Sequence, residues 1–223
     1  MKRVLFSVLI FSFFATNAFA NCITDILFNR DCSVFFGHAT ADMDVNGSIV
    51  DTNEECHGIK PGDKNAVMAG GETFYDIGKN FKVCTKMFLV CSGSHKIDQT
   101  SPLGRKIGGN FHSGLIPAMA GVSYNRNISE KFSLNGKLFL GYGATFFGSH
   151  AYVIENGKKN YYKHTSKIGC CFVSDLSVGA EYVLTKRYKL GLDVGYRFTP
   201  KTTISDDIKL DFSGLTAALS CAF

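Results

Sequence analysis

The sequence predicts an all-β chain: eight antiparallel strands in an up-and-down transmembrane β-barrel, behind a cleaved signal peptide. Three observations predict it. Tyr188 to Phe198 (YKLGLDVGYRF) alternates without a break, with Tyr188, Leu190, Leu192, Val194, Tyr196 and Phe198 on one face of an extended strand. Lys189, Gly191, Asp193, Gly195 and Arg197 leave the other face. The pattern recurs along the chain, and its connections alternate between short and long. The chain opens on an export signal, yet no later stretch is long and apolar enough for a membrane helix. A soluble sandwich would also explain one alternating strand, with the apolar face inward, but it has no reason to sort its loops by length.

Met1 to Ala20 reads as the signal peptide: Lys2 and Arg3, an apolar run from Val4 to Phe14, then Ala18-Phe19-Ala20 as a small-x-small cleavage site. The run is too short to span a bilayer, which takes roughly 20 apolar residues. Asn21 separates the cut from Cys22, which favours a free N-terminus over a lipid anchor. Residues 21–32 are expected to form an N-terminal periplasmic segment, and 33–223 the barrel domain. Without Lys2 and Arg3 the balance is 22 basic against 19 acidic residues, a net of +3, too weak and too evenly spread to argue for nucleic acid. An exported membrane protein without a spanning helix must be a closed barrel, because hydrocarbon leaves no unpaired backbone group satisfied.

Strands are expected at about 33–45, 64–75, 81–91, 114–124, 132–146, 171–184, 188–198 and 208–223. The alternation is clearest late in the chain. Phe172, Leu176, Val178, Ala180, Tyr182 and Leu184 oppose Cys171, Asp175, Ser177, Gly179 and Glu181. Phe132, Leu134, Leu138, Leu140, Tyr142 and Phe146 oppose Ser133, Asn135, Lys137, Gly141, Gly143 and Thr145. Residues 114–124 alternate more weakly, 81–91 places Lys82 and Lys86 on one face, and 64–75 is glycine-rich and poorly marked. The last strand sets Leu215, Ala217, Leu219, Cys221 and Phe223 on one face. Short connections fall at about 76–80, 125–131 and 185–187, and longer ones at about 46–63, 95–111, 147–168 and 199–207. Short turns on one rim and long loops on the other is the asymmetry of bacterial outer-membrane barrels.

On SVGAEYVLTKRYKLGLDVGYRF, the SGLTAALSCAF ending and the signal peptide, the chain resembles the small eight-stranded outer-membrane barrels of the opacity-protein and surface-antigen type. The resemblance covers the C-terminal half closely and the N-terminal half loosely. It implies a bacterial outer-membrane location and contact with membrane lipid and lipopolysaccharide. It further implies that barrel-assembly machinery reads Phe223, Leu219 and Leu215 as an assembly signal.

In such a barrel the apolar faces look outward, placing Tyr188, Tyr196, Phe198, Phe132 and Phe146 near strand ends as lipid-facing aromatics. Eight strands leave a bore just wide enough to be filled by side chains, so inward charges must pair. A three-residue turn at 185–187 sets Asp175 opposite Arg197 and Glu181 one step diagonal from Lys189. These four, with Asp193 and Lys137, are expected to form a lumen network that plugs the bore; the alternative is a solvated Arg197 above the membrane.

Eight cysteines follow the cleavage site, and their spacing fits no zinc site. Within strands they read as small apolar residues, and Cys22 with Cys32 is the expected disulfide. Asp42-Met43-Asp44-Val45-Asn46-Gly47 matches the start of a calcium loop, but position twelve is Asn53, and Asn46-Gly47 equally marks a hairpin turn. No metal or cofactor is expected. His164-Thr165-Ser166 resembles the His-x-Ser of lipid A deacylase barrels, in which His activates Ser, although a third member is lacking nearby. The loops carry Lys158, Lys159, Tyr161, Tyr162 and Lys163, a mixture suited to lipopolysaccharide phosphates or host surface ligands and equally usual in solvated loops. The expected role is structural or surface-interacting, adhesin- or antigen-like and without catalysis, in a monomeric or loosely associated barrel. A lipid A-modifying hydrolase using His164 and Ser166, or a narrow pore, is the alternative.

Overall fold

The computed structural model describes residues 32–45, 64–92, 95–100, 106–155, 158–205 and 208–223. The described residues form twelve strands: β1 (Cys32–Thr40), β2 (Asp42–Val45), β3 (Asn65–Asp76), β4 (Phe81–Ser92), β5 (His95–Thr100), β6 (Lys106–Asn127), β7 (Phe132–Glu155), β8 (Lys158–Val183), β9 (Lys189–Phe198), β10 (Thr202–Ser205), β11 (Ile208–Asp211) and β12 (Gly214–Ala222). Eight of them make the wall, in the cyclic order β1-β3-β4-β6-β7-β8-β9-β12, with every neighbour antiparallel. β1 meets β12 from Ser33↔Ala222 to Ala39↔Thr216, which closes the ring. Closure satisfies the backbone groups that an open edge would leave bare in lipid.

Exposure follows the sequence alternation, turned inside out relative to a soluble core. Along β9, Leu190, Leu192, Val194, Tyr196 and Phe198 are exposed, while Arg197 on the opposite face is fully buried. The same outward ladder runs through Leu134, Leu138, Leu140 and Tyr142 on β7 and through Leu215 and Leu219 on β12. Water would disfavour so continuous an apolar exterior; hydrocarbon favours it.

The start of β1 and the end of β12 lie on the short-turn rim, where the Phe223 amide donates to the Cys32 carbonyl at 3.0 Å. The turns there are pinned by hydroxyls: Ser129 Oγ accepts from the Phe132 amide and Thr185 Oγ1 from the Tyr188 amide, each at 3.1 Å. In barrels of this asymmetry the short-turn rim is periplasmic.

The opposite rim differs from expectation. The stretch expected as a loop at 147–168 belongs to β7 and β8, which run on to a Glu155↔Lys158 pair with only Asn156-Gly157 between them. Likewise the expected loop at 95–111 contains β5 and the start of β6, and that at 199–207 contains β10. The physical reason is the solvent. Beyond the lipid the outward face of a strand meets water while the inward face stays packed, as at Phe147 and Val153 on β7, so the hydrogen-bonded ladder continues while the outward apolar row that marks it stops. Two expected strands are also broken. The 33–45 segment divides at Ala41 into β1 and β2, and the 208–223 segment divides into β11 and β12. Gly214 bends the second with a φ of 142°, in the region favouring glycine. The pieces beyond the breaks form a separate sheet, β10-β11-β2, at the long-loop end.

Candidate functional site

Inside the wall, six charged side chains form one alternating chain across the bore. Lys137 Nζ lies 3.2 Å from Asp193 Oδ2 and 2.9 Å from Glu72 Oε2. Lys86 Nζ lies 3.2 Å from Glu72 Oε1 and 3.5 Å from Asp175 Oδ1, and Arg197 Nη2 lies 3.5 Å from Asp175 Oδ2. The path starts on β9 and returns to β9 through β7, β3, β4 and β8. Three carboxylates meet three cations, so the buried cluster is neutral. Neutrality is what a low-dielectric bore requires, since an unpaired ion there is costly.

Register explains the pairs between neighbouring strands: Asp175 is directly opposite Arg197, and Glu72 directly opposite Lys86. Aromatic rings fill the space around the cations. Lys86 Nζ lies about 5 Å from the ring centres of Phe35, Phe88 and Phe139, and the Arg197 guanidinium carbon is 4.4 Å from that of Phe88. Arg197 Nη2 also donates to Met68 Sδ at 2.8 Å.

Toward the long-loop end the interior turns apolar. Phe111, Leu115, Phe147, Val153, Val173, Leu210 and Phe212 are buried there. The β10-β11-β2 sheet supplies part of this packing, and the space over Gly169 on β8 is bounded by Thr202 and Ile204 of β10. The bore therefore carries two successive fillings: a neutral ionic one nearer the short turns and an apolar one beneath the outer mouth.

Of the residues singled out in the sequence, Asp175, Arg197, Asp193 and Lys137 lie in this chain. Glu181 and Lys189 do not. Glu181 accepts from Asn135 Nδ2 at 3.2 Å near the short-turn rim, and Lys189 is exposed at the start of β9, with no ion pair among the described residues. The correction is one of height: strand ends emerge into water, where a diagonal charge pair gains little. Glu72 and Lys86 were missed. Lys86 shows as an alternating basic residue in FKVCTKMFLVC, whereas Glu72 follows two glycines in a strand without clear alternation.

Tyr188, Tyr196, Phe198 and Phe132 are exposed to the outside, and Phe146 is half-buried because its ring lies across Gly114 of β6. Tyr75, Phe81, Tyr124 and Tyr182 join Phe132 and Tyr188 near the short-turn rim, with Phe81 and Tyr124 in ring contact at 5.0 Å. Leu215 and Leu219 face outward, and Phe223 is half-buried at the seam with β1.

Cys84, Cys91, Cys170, Cys171 and Cys221 are free thiols on the strands. Cys32 is buried at the start of β1; Cys22, its expected disulfide partner, lies outside the described residues, as does the leader. Asp42–Val45 is a strand paired with β11, and the Asp42 carboxylate accepts from Lys64 at 2.7 Å. That contact, chiefly its hydrogen bond, raises the Lys64 pKa above the ordinary lysine value. The rest of the calcium-like segment, from Asn46, lies outside the described residues. His164 and Ser166 are placed on β8 opposite His150 and Gly148. Ser166 is exposed, and the His164 side chain lies outside the described residues.

β1, β9 and β12 have nine or ten residues, the length a tilted strand needs to cross a bilayer. β7 and β8 have 24 and 26, so their outer ends continue for roughly 40 Å of strand past the lipid at about 3.4 Å per residue. This projecting hairpin carries Lys158, Lys159, Lys163 and Lys167 against the single acid Glu155. Lys159 Nζ lies 4.8 Å from the ring centre of Tyr152.

No family model matches the chain, and no curated protein matches it. Solved structures do. The chain is similar to Ail, the attachment invasion locus protein of Yersinia pestis, solved with the heparin analogue sucrose octasulfate (18% identity over 86% of this chain and 96% of that one, TM-score 0.38). It is similar to the outer membrane protein OprG of Pseudomonas aeruginosa (13%, 86% and 95%, TM-score 0.40). It is also similar to the outer membrane protease OmpT of Escherichia coli (8%, 86% and 96%, TM-score 0.44). By its own wall, exterior and rims, the chain is a closed eight-stranded antiparallel β-barrel of the outer-membrane architecture, apolar toward lipid and charged along its axis.

Proposed function

We propose that this protein is a sealed barrel of the bacterial outer membrane that holds a basic hairpin above the surface as an interaction element, without catalysis. The observation that carries the reading is the length of β7 and β8: both run far past the lipid, with β6 paired along β7 as far as Ile154, while β9 on the other side stops at Phe198. A scaffold that only had to span the membrane would not need them. The lysines at 158, 159, 163 and 167, beside Tyr152, Tyr161 and Tyr162, suit a polyanion with sugar rings, because ammonium groups meet phosphate or sulfate and aromatic faces meet the sugar. Lipopolysaccharide cores and host surface glycans both fit that description. In the membrane, Phe223, Leu219 and Leu215 serve as the outward-facing signal for the assembly machinery.

Against a pore stands the doubly filled bore, and against a hydrolase the lack, among the described residues, of a carboxylate on the Ser166 face of β8. Both acids of β8, Asp175 and Glu181, alternate onto the face opposite Ser166, and Glu181 lies roughly 50 Å along the strand at about 3.3 Å per residue. The test is quantitative binding of purified barrel to immobilised heparin and to lipopolysaccharide. Changing the four hairpin lysines to serine is expected to weaken binding by about tenfold or more and to flatten its salt dependence. Unchanged binding would remove the hairpin from the function. Planar-bilayer recording is expected to show no steady conductance, and cells overexpressing the protein are expected to keep their lipid A acylation pattern. A stable open channel or an altered pattern would instead support the pore or the hydrolase.

A further inference from the structure

The outward face of the wall is not uniformly convex. Where β1 crosses β12, a groove of about 580 Å³ opens toward the lipid. Its walls are Phe36, Val67, Leu192 and Leu219, all exposed outward residues. Its floor is the backbone around Gly37 and the small Ala217. Register sets the shape: Phe36 is opposite Leu219, while His38 is opposite both Ala217 and Val67. One small residue in a row of large ones leaves the depression. A Cβ at Gly37 would meet the Ala217 carbonyl, so only backbone lies between Phe36 and His38 on this side of β1.

The groove is apolar for most of its length and polar at one end. There His38 Nε2 and Asn65 Oδ1 are 2.8 Å apart. This end lies at the outer rim, since Thr40↔Asn65 is the last pair of β1 with β3 before the long loops. Lys64, the residue before, is exposed beside it with its ammonium on Asp42 at 2.7 Å, which leaves two of its three N–H donors for a headgroup.

We infer that this groove seats one acyl chain of a lipopolysaccharide molecule, with the headgroup meeting His38, Asn65 and Lys64 at the rim. Its place within the apolar band keeps water-soluble partners away. Ten residues line it, against roughly 20–30 a side for a stable protein–protein interface, so a second barrel would find too little surface. A narrow apolar slot with a polar outer end matches an amphiphile standing upright in the outer half of the bilayer, where lipopolysaccharide is the resident lipid. The inference rests on the outer-membrane reading, and its test separates the two failures.

The experiment is native mass spectrometry of full-length barrel released from nanodiscs containing lipid A and a phosphatidylethanolamine of matched chain length. Wild type is expected to retain one lipid A per barrel in preference to the phospholipid. Ala217→Phe fills the groove from β12 and Val67→Trp narrows it from β3; each is expected to cut retention about tenfold, the effect of some 1.4 kcal/mol. Ala120→Phe, an equally apolar change on the outward face of β6, is the control expected to leave it unchanged. Heat-modifiable migration in detergent reports whether each variant is a folded barrel. If folded A217F and V67W keep lipid A at the wild-type level, if phospholipid is retained equally, or if wild type retains no lipid, the assignment is overturned. Dimers that vanish in A217F would overturn it in favour of a second copy. Loss of heat-modifiability in wild type would instead reject the membrane barrel itself.

Discussion

Glu72 is the middle link of the bore, and Glu72→Gln is the sharpest test of how that bore is held. Its carboxylate takes Lys137 at 2.9 Å and Lys86 at 3.2 Å, and only 4% of the residue is exposed. The substitution keeps the shape and removes one of three negative charges facing three positive ones, so the cluster changes from neutral to a net charge of +1. Removing one partner of a buried pair costs about 3–5 kcal/mol. The lower end, about 3 kcal/mol, applies because each lysine keeps a second carboxylate: Asp175 at 3.5 Å for Lys86 and Asp193 at 3.2 Å for Lys137. Urea unfolding of barrel folded into short-chain lipid vesicles reads this directly, as a roughly hundredfold drop in the folding equilibrium. Adding Lys137→Met restores the charge balance, so the double variant is expected to be more stable than the two single losses imply, by at least about 1 kcal/mol of coupling. A single loss below about 1 kcal/mol, or strictly additive losses, would mean that the bore is hydrated and screened, and the neutral-chain argument would fail.

Gly214→Ala is expected to destabilise by about 1 kcal/mol or more, because residue 214 holds a φ of 142° and a Cβ there meets Thr40 Oγ1; a lowered thermal midpoint in vesicles checks it. Phe139→Ala, fully buried beneath Lys86, is expected to cost about 3–5 kcal/mol in the same urea assay. Deleting Phe223 removes both backbone bonds to Cys32 and is expected to lower the yield of heat-modifiable barrel in cells more than its stability once folded in vesicles.

How much of this was legible in the sequence depended on which solvent each face meets. Within the bilayer, one face sees hydrocarbon and the other a packed bore, so YKLGLDVGYRF and SVGAEYV state their orientation residue by residue. Past the rim the outward face sees water. There YVIENGKKNYYKHTSK carries no period of two, although Asn156-Gly157 is the same hairpin signal that stood out at Asn46-Gly47. The loop reading of 147–168 followed from giving alternation more weight than the turn.

The bore divides in the same way. The pairing of Asp175 with Arg197 follows from a three-residue turn, because a hairpin's turn fixes its register and register fixes which side chains oppose. The contact between Lys137 and Glu72 joins β7 to β3, strands that are not neighbours in the wall. It depends on how far each strand slides past the next around the whole closed sheet, a shear that no single hairpin encodes. Glu72, in NAVMAGGETFYD, has glycines where neighbouring strands have alternating large residues, so its inward direction is visible only once β3 is in register with β4. Charges that meet along a hairpin can be read from a sequence, and charges that meet across a bore need the barrel closed first. That is why the Glu72 and Lys137 variants test the closed bore, while Asp175 and Arg197 substitutions would disturb the hairpin that turns at 185–187 together with its contacts to β3 and β4.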